Sequence, residues 1–117
     1  MGSVQKGDMA ILISKGGETR EVVELIPPLK TKDVFTIAVT EDEGSILARE
    51  CELFLKVKVE READPFNMLA TTSTMAVIAV FDAICVALIE YTGFTREKFA
   101  VIHPAGAVGK RLIHGDK

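Results

Sequence analysis

Hydrophobic and polar positions along this chain follow two periods. Met9-Ala10-Ile11-Leu12-Ile13 is a continuous apolar run introduced by Gly7-Asp8 and closed by Ser14-Lys15-Gly16-Gly17, the pattern of a central strand buried on both faces. From Glu18 the spacing becomes helical, with Val22, Leu25, Ile26 and Leu29 recurring on one face. Glu18 and Glu21 place negative charge at the helix start, where it suits the dipole, and Pro27-Pro28 bend or end the helix. Residues 34–39 form a second β-rich run, closed by Thr40-Glu41-Asp42-Glu43-Gly44, and Ser45 is placed to cap a short helix over 46–50. Residues 53–59 read as a third strand, with alternation only toward its end, as near a sheet edge. A loop over 60–70 leads into a long apolar helix that Gly93 ends. Thr95 opens a last short helix with Phe99 and Ile102 facing inward, and the segment 103–109 ends regular structure. Strands alternating with helices predict an α/β fold with a parallel sheet and right-handed crossovers.

The long segment 68–94 is the one stretch that resembles a membrane span. Its most apolar part, 75–89, is interrupted by Asp82 and follows Thr71-Thr72-Ser73-Thr74, short of the roughly 18 to 20 uninterrupted apolar residues a span needs. A helix apolar nearly all round is expected instead in a core or a subunit interface, which predicts a homodimer or homotetramer and no membrane partner.

Composition narrows the rest. With 117 residues, 48% of them hydrophobic, the chain has room for one core, so residues 1–117 are expected to form a single domain. Fourteen Lys+Arg against 17 Asp+Glu leave a net charge of -3 with the cations dispersed, and there is no Trp and one Tyr. Neither a basic face nor a stacking platform is present, which excludes nucleic acid as a partner. Cys51 and Cys85 form no disulfide framework and read as reduced, buried thiols. The start of the chain lacks a signal-peptide pattern, so a cytoplasmic location is expected. No His/Cys/Asp/Glu spacing suits a metal, and neither a metal nor any other cofactor is expected.

Ligands of open parallel sheets bind beyond the carboxyl ends of the strands. The first loop there is Ser14-Lys15-Gly16-Gly17-Glu18-Thr19, whose glycines, hydroxyls, lysine and following helix start describe an anion cradle; the same residues also suit a tight turn without a ligand. The second is Glu60-Arg61-Glu62-Ala63-Asp64-Pro65, either a solvated charge cluster or the seat of a general base whose pKa nearby Phe66 and Met68 raise toward neutrality. Thr71, Thr72, Ser73 and Thr74 offer hydroxyls and N–H groups to a ligand, or only cap the long helix. His103 precedes a proline in a glycine-containing segment and suits acid–base work, whereas His114 reads as a tail residue.

In order, Ile11-Leu12-Ile13-Ser14, Gly17-Glu18-Thr19, Val59-Glu60-Arg61-Glu62-Ala63-Asp64-Pro65, Ala70-Thr71-Thr72-Ser73-Thr74, Asp82-Ala83, Gly93-Phe94-Thr95 and His103-Pro104-Ala105-Gly106-Ala107-Val108-Gly109 resemble the sugar isomerase (SIS) domain. Within it the likeness is to the arabinose 5-phosphate isomerase group. The resemblance implies a flavodoxin-like three-layer sandwich, here a partial domain of three to four strands. It also implies a sugar phosphate as ligand, held by Ser14, Lys15, Gly16, Gly17, Thr19, Thr71, Thr72 and Ser73. The family loop normally reads Ser-x-Ser-Gly-x-Thr; here Gly16 replaces the second serine and Lys15 stands where Asn, Gln or Tyr is usual, a departure that points to a subgroup with its own substrate.

Catalytic roles carried over by resemblance fall on Glu21, Glu62 and His103: Glu62 as the base for the C1/C2 proton, His103 for ring opening, Glu21 in support. On that assignment Glu62→Gln abolishes turnover and spares binding. The family's domain begins with further helices, a first strand and a glycine-rich loop with a lysine, so the chain is expected to hold only the C-terminal part of the domain, without a CBS pair. Three readings follow: an isomerase once the missing part is supplied, a phosphosugar sensor, or an inert fragment.

Overall fold

In the computed structural model, residues 2–103 and 109 are described. The tail histidine His114 and the Pro104–Val108 portion of the last motif lie outside them. Two compact units divide the chain, Met1–Ile78 and Ala79–Lys117.

The first unit is built on three parallel strands, β1 (Met9–Ile13), β2 (Phe35–Thr40) and β3 (Leu53–Lys56), in the order β1-β2-β3. Ile13 pairs with Val39, and Val39 with Leu55. Between the strands lie α1 (Arg20–Val23), α2 (Ile26–Thr31) and α3 (Ile46–Glu50). The expected parallel α/β architecture is therefore present.

The details differ in three places. Among the described strands β1 is at the edge and β2 at the centre, and β1 is buried on one face only, because α2 and α3 cover just the face that carries Leu12 and leave Met9, Ile11 and Ile13 exposed. The single helix predicted after residue 18 is two. Pro27 and Pro28 do not end a helix but sit in the first turn of α2, where their fixed φ fits and a missing N–H costs nothing. β3 stops at Lys56 rather than at residue 59, although Val57 N–H still reaches Thr40 O at 3.1 Å.

Leu12, Ile26, Leu29, Val34, Ala38 and Leu47 form the core, joining β1, α2, β2 and α3 on one face of the sheet. Leu47 is fully buried, a side chain whose transfer from water contributes about 2 kcal/mol. Ser45 caps α3 as predicted, its Oγ accepting from Ala48 N at 3.2 Å. Across the opposite face run Met9, Ile11, Ile13, Phe35 and Leu53, all exposed.

The loop after β3 is held by Asp64, whose carboxylate accepts the N–H groups of Phe66, Met68 and Leu69 at 2.9, 2.9 and 2.8 Å. Asn67 adopts φ 59°, a left-handed turn residue. The long helix α4 (Thr72–Thr92) begins in the first unit and continues into the second, where α5 (Arg96–Ile102) follows.

α4 is long and apolar enough to cross a membrane by length and composition. None of its residues is buried within this chain, so of the two places expected for it, core and subunit interface, the core of this chain is not the one. Cys85 is exposed on it and Cys51 half-buried, so neither is the fully buried thiol expected. Thr95 caps α5 by accepting from Lys98 N. Ile102 is exposed rather than inward, and Phe99 packs edge-on against Phe94 with ring centroids 6.2 Å apart.

Candidate active site

The three parallel strands end together, and residues at or just beyond their carboxyl ends line one cavity. Ser14 and Lys15 follow β1, Thr40 closes β2, and Val57 follows β3. Ser73, Thr74, Val77 and Ile78 from the start of α4 complete its wall, with Ile13, Val39 and Ala70. The volume is about 320 Å³, the size of a small metabolite site. Its position beyond the carboxyl ends of the strands is where open α/β sheets bind ligands.

The loop after β1 is shaped from within. Gly17 N–H donates to Ser14 Oγ at 3.1 Å, and the Ser14 and Thr19 hydroxyls lie 2.8 Å apart. Gly17 has φ 68°, and a Cβ there would lie 2.1 Å from Ser45 Oγ. This glycine serves close packing against α3 rather than approach to a ligand, and its N–H is already used. At Gly16 a Cβ would meet nothing within 4 Å, so the absence of the family's second serine is not imposed by space. The helix start invoked for the cradle is four residues long, too short for a substantial dipole.

Glu62 is buried, 1% exposed. Its Oε2 accepts from Thr71 N at 3.0 Å, Thr71 Oγ1 at 3.1 Å and Ser73 N at 3.1 Å, and its own N–H donates to Asn67 Oδ1 at 2.6 Å. Lys15 Nζ stands 3.0 Å from Oε1. The Ser73 hydroxyl, with the backbone N–H groups of Thr71 and Ser73, holds the Glu62 carboxyl far below the usual carboxylate range; burial opposes this and Lys15 adds to it. The expected rise toward neutrality is thus reversed. Phe66 and Met68, which were to supply the apolar surroundings, are exposed, and hydrogen bonds to the charged form dominate. The same bonds take the N–H groups of Thr71 and Ser73, so these are helix-start donors to Glu62 and not free to a ligand. Lys15 is held charged, first by its hydrogen bond with Glu62, against a smaller desolvation cost.

Of the residues singled out in the sequence, Ser14, Lys15 and Ser73 come together on the cavity wall, with Gly17 and Thr19 tied to Ser14 and Thr71 tied to Glu62. Thr72 is an exposed first residue of α4, and Glu21 is exposed on α1, off the cavity wall. His103 belongs to the second unit, exposed at the end of α5 with its ring 4.6 Å from that of Phe99. Thr74, one of the hydroxyls weighed at the start of the long helix, is on the wall, and Thr40 is a wall residue not singled out in the sequence; its position at the end of a strand is the signal that finds it. Among the described residues no group of His, Cys, Asp or Glu is arranged to hold a metal.

The SIS domain family matches residues 1–105. The arabinose 5-phosphate isomerase of Pseudomonas aeruginosa is 40% identical over 113 residues, 97% of this chain and 35% of that protein. That of Escherichia coli K12 is 42% identical over 113 residues, 97% of this chain and 34% of that protein. The chain therefore spans about a third of the length of these curated relatives. A solved structure of an Escherichia coli CFT073 protein in complex with arabinose 5-phosphate superposes with a TM-score of 0.84 at 39% identity, over 88% of this chain and 55% of that one. A candidate sugar-phosphate isomerase from Listeria monocytogenes superposes with a TM-score of 0.85 at 56% identity, over 89% and 55%. Matched over most of its length in both sequence and backbone, this chain belongs to the SIS domain family.

Proposed function

We propose that this chain is the phosphosugar-binding domain of an aldose–ketose isomerase acting on a sugar phosphate of the arabinose 5-phosphate kind. One observation carries the reading: the cavity beyond the strand ends, walled by Ser14, Lys15, Thr40, Ser73 and Thr74, lies in a chain whose 39%-identical relative is in complex with arabinose 5-phosphate. The Lys15 ammonium suits a phosphate dianion, and the apolar walls from Ile13, Val39, Val57, Val77 and Ile78 suit the exclusion of water; the Thr40 and Thr74 hydroxyls on the wall donate to Lys15 O and Ala70 O. Interconverting aldose and ketose needs ring opening and a proton moved between C1 and C2. In this reading His103 is the ring-opening acid–base group, and Glu21 is a supporting residue of the reaction. The domain occupies residues 1–117, acts in the cytoplasm, and assembles as a homo-oligomer through the exposed apolar surface of α4, whose Asp82 disfavours a bilayer.

A second reading is favoured by Glu62. A general base needs a pKa near the working pH and an oxygen free to take a proton, yet this carboxylate is held low and Oε2 has three donors. A phosphosugar-binding module without turnover needs no such base. Calorimetric titration with arabinose 5-phosphate and an assay for its ketose isomer separate the two. Binding with turnover supports the isomerase, binding alone supports the module, and no binding overturns both.

A further inference from the structure

The loop that follows β1 and the loop that follows β3 are joined by one ion pair, Lys15 with Glu62. Its two members are placed very differently. Glu62 is off the cavity wall and buried, while Lys15 lines the cavity and is partly exposed. Oε2 of the carboxylate is fixed at the start of α4 by Thr71 and Ser73. Oε1 is buried, and the Lys15 ammonium 3.0 Å away is the group that balances it. A lysine stem has four flexible carbons and its ammonium three donors. Anchoring one donor on a rigid buried acid orients the ammonium and leaves the remaining donors for the cavity.

We propose that Glu62 is a positioning residue that fixes the Lys15 ammonium on the cavity wall as an anchor for the phosphate of a sugar phosphate, and that it transfers no proton itself. The ligand class rests on the reading given under Proposed function. The ammonium then bridges two acids, one built into the fold and one brought by the ligand, and the low pKa of Glu62 keeps the built-in acid ionised at neutral pH. Position 16 has room for the serine side chain that the family pattern carries. In this chain a held charge at position 15 takes over from that hydroxyl as the phosphate anchor.

The test is a double-mutant cycle read by calorimetric titration with arabinose 5-phosphate and, separately, with inorganic phosphate. Lys15→Met is expected to weaken both ligands about 10- to 100-fold, the range for a charge-assisted hydrogen bond. Glu62→Gln keeps an oxygen for the Thr71 and Ser73 donors but turns an amide toward Lys15, and it is expected to weaken both ligands to a similar degree. In the Lys15→Met background Glu62→Gln is expected to cost nothing more. A merely structural Glu62 would cost affinity equally in both backgrounds, and that additivity overturns the proposal, as does unchanged affinity in Lys15→Met. Should Glu62→Gln not fold, Glu62→Asp, which retracts the charge from Lys15, takes its place in the cycle. If the wild-type chain binds inorganic phosphate but not arabinose 5-phosphate, the sugar reading fails and the phosphate arm decides the anchor; if it binds neither, both fail.

Discussion

The two units of this chain spend similar apolar residues in opposite ways. In Met1–Ile78, Leu12, Ile26, Leu29, Val34, Ala38 and Leu47 close on one another until little or nothing of them meets water. In the second unit no residue from 79 to 103 is buried, although Ile84, Val86, Leu88, Ile89, Val101 and Ile102 are as hydrophobic as the core. Hydropathy measures how much a segment gains from cover; it does not say where the cover comes from. A short helix such as α3 finds it on the neighbouring sheet. A 21-residue helix that is apolar on every side has more surface than its own chain covers here.

The contrast is broken most sharply by truncating one leucine on each side of it. Leu47→Ala is expected to cost about 2–5 kcal/mol in denaturant unfolding at any protein concentration, because its cavity is internal. Leu88→Ala is expected to cost under about 0.5 kcal/mol at limiting dilution. Its cost should grow with concentration if a second copy supplies the cover. A concentration-independent loss at Leu88 would mean that the cover is intramolecular.

Within the first unit the same logic separates two adjacent glycines. Gly17→Ala places a Cβ against Ser45 at a positive φ and is expected to lower stability by about 2–3 kcal/mol in thermal unfolding. Gly16→Ser meets open space, and its unfolding midpoint should stay near that of the parent chain.

A last expected effect concerns pH. The Glu62 carboxyl titrates lower in the folded chain than its ordinary value of 4.5, so its contribution is complete above that value and is withdrawn as pH falls below it. Unfolding midpoints taken between about pH 6 and pH 3 should fall less steeply in Glu62→Gln than in the parent. An identical slope would show that the folded structure does not depress this group.

Local grammar was legible in the sequence; partnership was not. β1 has the predicted bounds because Gly7-Asp8 and Ser14-Lys15-Gly16-Gly17 punctuate it, and Ser45 caps α3 because a serine before a helical run satisfies its N–H groups. Whether β1 is central or an edge depends on which strand lies beside it, which five residues cannot encode. Pro27-Pro28 reads as a stop until Leu25 is known to precede a new helix. Ser14, Lys15 and Ser73 were found from their places after a strand or at a helix start. The direction of the Glu62 shift was not, since it depends on donors from Thr71 and Ser73 that the turn at Asn67 brings round.

That turn has a consequence for self-association. Phe66, Met68 and Leu69 are exposed, and three apolar side chains on one loop would ordinarily invite cross-β pairing between unfolded or crowded chains. Such pairing needs extended backbone with its N–H groups presented outward. Here Asp64 has taken the N–H groups of all three residues, Pro65 has none to give, and Asn67 bends the chain out of the extended region. The loop can offer its side chains to a folded surface while withholding the backbone template on which fibrils grow.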